Sequence, residues 1–420
     1  VTVTARSKTE QPLKEHLHWP SVIQLVFGLF LLFNAIVLAA STLIGGIVQL
    51  NIPAELGIGA YSFLYVGTAL FLGFVGLVNA VLAGLRIAGR PVQQHQPNGR
   101  LRFLAHPLLW LLLSGLALGL GYLVSAYDVY PFFLLPPIHI AAVIFPLLLV
   151  VWLAVRGLEP GAPQRTWGVF SSGMLIGPIF IFALELIALL FLGLFILLTL
   201  SGDADLAFTL TRLLAYSQTT AFPDPERLLD IARPLLLQPV VLIAMLANFA
   251  VAVPLIEEIF KPMGVWLLAG KDLSPQEGFA LGAISGAGYA AFETLSIQLA
   301  GEFWLAIVSI RSITGLLHAL TAGLVGYGLV LAWGERRYLR LAGLYLLSVT
   351  LHGAWNGMVI MTSFVTLQND VLNAAVEERL VASYWQVAGA GGLSVIALLV
   401  FGLLLWQNRR LRLAKHAVKM

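Results

Sequence analysis

Apolar runs of about twenty residues or more recur along almost the whole chain, separated by short polar loops. A hydrocarbon core about 30 Å thick takes about twenty residues of helix to cross. A chain inside it must satisfy every backbone donor and acceptor internally. Such runs exclude a water-soluble globule. Composition agrees, with 59% hydrophobic and 11% charged residues, against roughly 25% charged in soluble domains, and mean hydropathy +0.90. The predicted fold is all-α, a polytopic transmembrane helical bundle of roughly ten spans, at 21–48, 57–85, 104–126, 135–155, 168–200, 236–268, 278–299, 303–333, 341–364 and 385–407. Several runs exceed the length needed, which predicts tilt or kinks.

Loop charge predicts the orientation. Arg86, Arg90, Arg100 and Arg102 occupy one loop without an acidic residue, and "GERRYLR" at 334–340 and the tail "QNRRLRLAKHAVKM" are also basic. The alternate loops, "SGDADL" and "PDPERLLD" near 201–230 and "QNDVLNAAVEERL" near 368–380, are acidic or mixed. All three basic segments fall on one side of a ten-span arrangement, which predicts a multi-pass cell-membrane protein with both termini cytoplasmic. Residues 1–20 read as a retained cytoplasmic tail, because no cleavage site follows them. In the 202–235 loop, Asp224 is a candidate N-cap and Pro225 a first helical residue of a short helix at the outer interface. The absence of cysteine excludes disulfides, thiol nucleophiles and cysteine-ligated metals.

Ionisable residues are unevenly spread. Spans one to four are nearly free of them and span five has only Glu185, whereas spans six to nine carry Glu257, Glu258, Lys261, Glu293, Arg311, His318 and His352, together with the polar Asn356. Ionisable groups within membrane helices face a bundle interior or a wet cavity and are functional by default. At 1.5 Å per residue, Glu257 and Glu293 stand about 20 and 22 Å above the inner loop, His318 about 22 Å below the outer end of its span, and His352 about 17 Å above the inner end of its own. Four helices thus bring chemistry to one level near mid-bilayer.

Neighbouring residues sharpen this. Pro254 and Pro262 bracket "LIEEIFK", predicting a short helical piece with a kink before it and a break after it. Lys261 lies four residues after Glu257 and three after Glu258, within reach of either. Gly278, Gly282, Gly286 and Ala290 form a stripe suited to close helix packing, with Glu293 on much the same face. Taken singly, each group has a plainer reading: a structural ion pair for Glu257, Glu258 and Lys261, a packing residue for His318, interhelical glue for Asn356. Arg311 reads as a partner neutralising a carboxylate, Glu185 as an isolated structural residue, and His95, His106 and His139 as needing no special role.

The run "EEIFK", "YAAFETL", "HALTAGLVGYG" and "HGAWNG", in that order on successive helices, resembles the PrsW family of intramembrane proteases, related to the CAAX prenyl proteases. The family pattern of EExxK, FxxxE, a His before small residues, and HxxxN or HxxxD falls on Glu257, Glu258 and Lys261, then Glu293, then His318, then His352 and Asn356. Tyr289 stands where the pattern has Phe, and "FET" where many relatives read "FEN". The resemblance covers about 240–360. It divides the chain into the tail 1–20, an N-terminal transmembrane region 21–235, a catalytic core 236–364 in spans six to nine, and the last span with its basic tail, 365–420.

The resemblance implies hydrolysis of a peptide bond in a membrane-anchored protein, with Glu257 activating the water and Glu258 as the lesser candidate. Lys261 would keep a glutamate ionised, His318 and His352 would orient the water or bind a metal, and Asn356 would donate to the oxyanion. Two histidines and a carboxylate are an accepted zinc set, here His318 and His352 with Glu293 or Glu257. No HExxH spacing is present, so zinc and a metal-free glutamate mechanism both stay open. The bilayer and its proteins are the expected partners, nucleic acid is not, and the oligomeric state is left open. A proton- or ion-coupled transporter is the main competing class, since it too places carboxylates at mid-bilayer. Repeated halves would favour it, and none is visible. An inactive membrane scaffold is the third.

Overall fold

The structure, a computed structural model, describes residues 19–49, 59–90, 92, 106–127, 129–219, 225–295, 304–371 and 376–417. The tail before Trp19, Arg100, Arg102, His95 and the Asp224 cap lie outside them. Among the described residues every regular element is helical: α1 (Trp19–Gln49), α2 (Gly59–Ile87), α3 (Pro107–Ala126), α4 (Pro131–Val155), α5 (Pro163–Ser171), α6 (Gly177–Thr199), α7 (Ala204–Thr219), α8 (Pro225–Leu236), α9 (Pro239–Ala247), α10 (Val253–Phe260), α11 (Met263–Trp266), α12 (Pro275–Leu295), α13 (Trp304–Glu335), α14 (Tyr338–Val371) and α15 (Val376–Ala417). A π-helical turn, Ser172–Ile176, joins α5 to α6, and another, Asn248–Ala252, joins α9 to α10.

Among the described residues, nine helices are long and apolar enough to cross a membrane by length and composition. The expected seventh span is present as α12, but it consists largely of small residues and is almost wholly buried, so it lacks the apolar outer surface of the others. The protein is an all-α polytopic bundle. Its outer helices, such as α1, α6 and α15, turn Leu, Ile and Phe outward, as a bilayer requires, while α13 is enclosed along its crossing segment.

Packing around α12 follows from its glycines. A methyl group on Gly278, Gly282 or Gly286 would collide with the backbone carbonyl of Gly326, Ala322 or His318, all on α13. On the other side, Gly288 is pressed on the Phe170 carbonyl and Gly173 on that of Ser285. The small stripe therefore lets α13 and the α5 end close on α12 from opposite sides. The start of α12 is fixed by a capping box. Ser274 N and Oγ donate to Glu277 Oε2 at 2.9 and 3.0 Å, and Glu277 N donates to Ser274 Oγ at 3.3 Å. Arg165 Nη2 reaches Glu277 Oε1 at 2.7 Å. Burial alone would raise the Glu277 carboxyl, but the Ser274 amide and Arg165 outweigh it and hold it below its ordinary range. This brace is complete above the usual carboxylate range and is lost as pH falls through the lowered value.

The expected interruption around "LIEEIFK" is present. The first break is the π turn, after which Pro254 opens α10. The second follows Phe260, where Pro262 cannot donate and only the single turn α11 follows. His106 caps α3 by accepting from Leu108 N, and His139 is buried against Trp304, whose Nε1 lies 3.3 Å from its Nδ1.

Overpacking the α12–α13 seam is expected to be costly: Gly282→Val should destabilise by about 1–3 kcal/mol. Gly193→Ala in α6, where an added methyl meets nothing, should change little. Thermal unfolding in detergent compares the two, and equal effects would refute the close-packed seam.

Candidate active site

Lys261 is the centre of the polar cluster. Its side chain is 0% exposed, and Nζ lies 2.8 Å from Glu257 Oε2 and 2.7 Å from Glu258 Oε1. The local helix explains this, because a residue three and four positions along shares a face with both carboxylates. From α14, His352 Nδ1 lies 3.1 Å from the same ammonium and 3.0 Å from Glu258 Oε1. Its Nε2 is 3.9 Å from Glu257 Oε2. From α13, the His318 ring stands edge-on to that of His352, centroids 5.4 Å apart. His318 Nε2 is 2.8 Å from Glu293 Oε2 on α12, and Arg311 pairs with that same carboxylate.

The expected convergence of α10, α12, α13 and α14 is thus a set of direct contacts. Two concentric layers are distinguishable within it. Glu257, His318 and His352 each offer one ligand atom, and these atoms lie within 4.8 Å of one another. Around them, Glu258 and Glu293 each engage the other face of a histidine. Arg311 neutralises Glu293, as its spacing suggested. Glu293 therefore stands behind His318, and Glu257 takes the third position in the group.

Asn356 makes the interhelical contact of its plainer reading. Its Nδ2 donates to the Phe249 carbonyl at 2.9 Å, inside the π turn, where the helical ladder is disturbed and a carbonyl needs a new donor. Tyr345 Oη similarly donates to the Leu255 carbonyl at 2.7 Å. Ser285 stitches the second break, donating from Oγ to the Lys261 carbonyl at 2.6 Å and accepting from Gly264 N at 3.2 Å. Ser285 and Tyr345 were not singled out in the sequence; a lone hydroxyl in the glycine stripe of α12 was the available signal for the first.

Tyr289 of α12 is buried at this cluster. Tyr289 also lies edge-on to His318, centroids 5.2 Å apart, with Lys261 Nζ 5.2 Å from its ring centre. Glu185, read in the sequence as an isolated structural residue, is half-buried on the bundle-facing stripe of α6. Its only sequence signal was a carboxylate within an otherwise apolar span.

The motifs left a metal and a metal-free mechanism both open, and the donors can be tested for an ion. Glu, His and His match a catalytic zinc set. His318 Nδ1 is buried without a hydrogen-bond partner, and Glu293 and Glu258 hold the histidines in the manner of outer-shell carboxylates. The residues fit such an ion.

Residues 206–382 match the family model of the PrsW family intramembrane metalloprotease. The matched segment holds all four motifs, so the resemblance read from them holds. The match supports a membrane protease function. No curated protein and no solved structure matches the chain.

Removing the cation tests the cluster's electrostatics. Lys261→Met leaves two buried carboxylates without their counter-ion and should cost about 3–5 kcal/mol, read as a large fall in unfolding temperature. A variant as stable as the parent would show that the ammonium is not what holds the carboxylates together.

Proposed function

We propose that the protein hydrolyses a peptide bond of a membrane-anchored protein within or at the edge of the bilayer, with Glu257 as the base that activates water. The observation that carries this reading is the buried group of Glu257, His318 and His352, each contributed by a different helix, with His318 Nδ1 buried and lacking a protein partner.

The roles follow from donor chemistry. An ionised carboxylate only accepts, so His318 donates from Nε2 to Glu293 and presents the Nδ1 lone pair to a water. His352 donates from Nδ1 to Glu258 and presents Nε2. Lys261 supplies the positive charge nearest the developing oxyanion and keeps Glu257 and Glu258 compatible with burial. Glu257 takes a proton from the water as its oxygen bonds to the peptide carbonyl carbon. It then returns that proton to the amine nitrogen as the C–N bond breaks. Asn356, with its amide on Phe249, serves as a brace of the bent α9–α10 helix in this reading. A zinc ion would instead be held by Glu257, His318 and His352, with Glu257 as a ligand in place of the base, and would polarise the carbonyl and acidify the bound water.

The catalytic core is taken as 236–364. The basic ends of α2 and α15, with Arg86 and with Arg409, Arg410 and Arg412, favour both termini on the cytoplasmic side of the cell membrane.

Purified protein with a panel of single-span substrates tests the reading. Glu257→Gln and His352→Ala should each lower kcat/KM by at least about a hundredfold, with the fold retained. Cleavage persisting in both would refute the site. In the same assay, loss of cleavage with a chelator and its return with zinc would assign the metal-assisted form, and indifference to the chelator the glutamate-only form.

A further inference from the structure

We infer that the adjoining ends of α4 and α15 form a binding site for an anionic phospholipid, with Arg156, Arg409 and Arg412 around its phosphate. The site stands apart from the polar cluster of α10, α12, α13 and α14, and it holds whatever role Glu257 has.

The junction is built by one side chain. Asn408 of α15 donates from Nδ2 to the Ala154 and Arg156 carbonyls at 2.8 and 3.0 Å. These carbonyls end α4, where the helical ladder runs out and acceptors stand open. The amide joins the two helix ends and covers the negative pole of α4, which would otherwise oppose an anion. Leu404 and Leu411 of α15 share a core cluster with Ala154 and Leu158, so apolar contact holds the junction as well.

Its level is that of a headgroup boundary. The apolar crossing segment of α4 ends at Val155, and Arg156 follows directly. Arg156 Cζ stands 5.0 Å from the ring centre of Trp152, and Arg410 Cζ stands 5.5 Å from that of Trp406 on α15. An indole one turn inside an arginine, on both helices, puts the apolar ring in the membrane and the cation at its edge. Arg412 lies against Gly157, where an added methyl would meet its Cδ, and so spans the gap between the helix ends. Arg409 is exposed beside it.

The cations at this junction have no anion. The described arginines that pair with carboxylates are Arg165, Arg233, Arg311 and Arg337, none of them here, and 401–420 contains no acidic residue. A guanidinium lying on an indole keeps its N–H edge free, and that edge fits phosphate oxygens. Acyl chains have a place too. Leu398, Phe401 and Leu405 are exposed on the face of α15 that leads to Arg412, by their helical spacing. A free phosphate would use the arginines alone, whereas a lipid uses the cations and the apolar stripe together.

The test uses the purified full chain in detergent, titrated with phosphatidylglycerol, phosphatidylcholine or inorganic phosphate. Unfolding temperature and lipid retained in native mass spectrometry are read. Phosphatidylglycerol should be retained and raise the unfolding temperature, and the other two should do neither. Combining Arg156→Gln, Arg409→Gln and Arg412→Gln should weaken its apparent affinity about a hundredfold, and Arg409→Gln alone about fivefold. Should the triple variant fail to fold, the exposed Arg409→Gln decides. Arg410→Gln, at the same level but about 160° around α15 from Arg412, should leave the affinity as it was. Equal effects of Arg409→Gln and Arg410→Gln would show general surface charge and overturn the site. A phosphatidylcholine as effective as phosphatidylglycerol, or a full response to inorganic phosphate, overturns it as well.

Discussion

A fully buried ammonium is the constraint on which the rest of the structure depends. An unpaired charge of this kind in a bundle interior would cost several kcal/mol, so Lys261 can exist only where acceptors surround it. Glu257 and Glu258 meet this need from its own helix, and His352 of α14 packs against the group they form. The arrangement is reciprocal, because the two carboxylates are equally untenable without the ammonium. Once that group is formed, α10 and α14 cannot slide relative to each other without stranding a charge.

The bent backbone of span six is what makes the group possible. A straight helix through 239–268 would carry its carbonyls in an unbroken ladder. Here the π turn before Pro254 and the break at Pro262 leave backbone groups that need partners from neighbours. Asn356, Tyr345 and Ser285 supply them, and each such bond also ties α14 or α12 to the helix bearing Glu257. The glycine seam of α12 contributes in another way, bringing its backbone so near to α13 that Glu293 reaches His318. Function and packing are therefore served by the same residues: positions that close the helices together also fix the histidine orientations that the proposed chemistry uses. The outer part of α6 is the exception, resting on this rigid core by a single narrow stripe.

Much of this was legible in the sequence, and for identifiable reasons. The cost of polar groups in hydrocarbon makes every charged residue in a span conspicuous, and the fixed rise of a helix turns sequence position into depth. Glu257, Glu293, His318 and His352 could thus be put at one level without coordinates. The i, i+3 and i, i+4 spacing around Lys261 and the proline pair around "LIEEIFK" are local rules and gave local structure directly. Arg311 was readable as a counter-ion for the same reason.

What depth and spacing cannot express is azimuth, meaning which way a helix is turned about its axis and which neighbour it meets there. The sequence by itself determined that this chain is a membrane bundle, that its chemistry lies in spans six to nine, and that the span bearing Glu257 is broken twice. Only the tertiary structure decided that Glu293 stands behind His318 while Glu257 faces both histidines, and that Asn356 is spent on a backbone carbonyl. Those outcomes turn on rotations of whole helices, set by the summed packing of many small apolar residues, and no short motif carries that information.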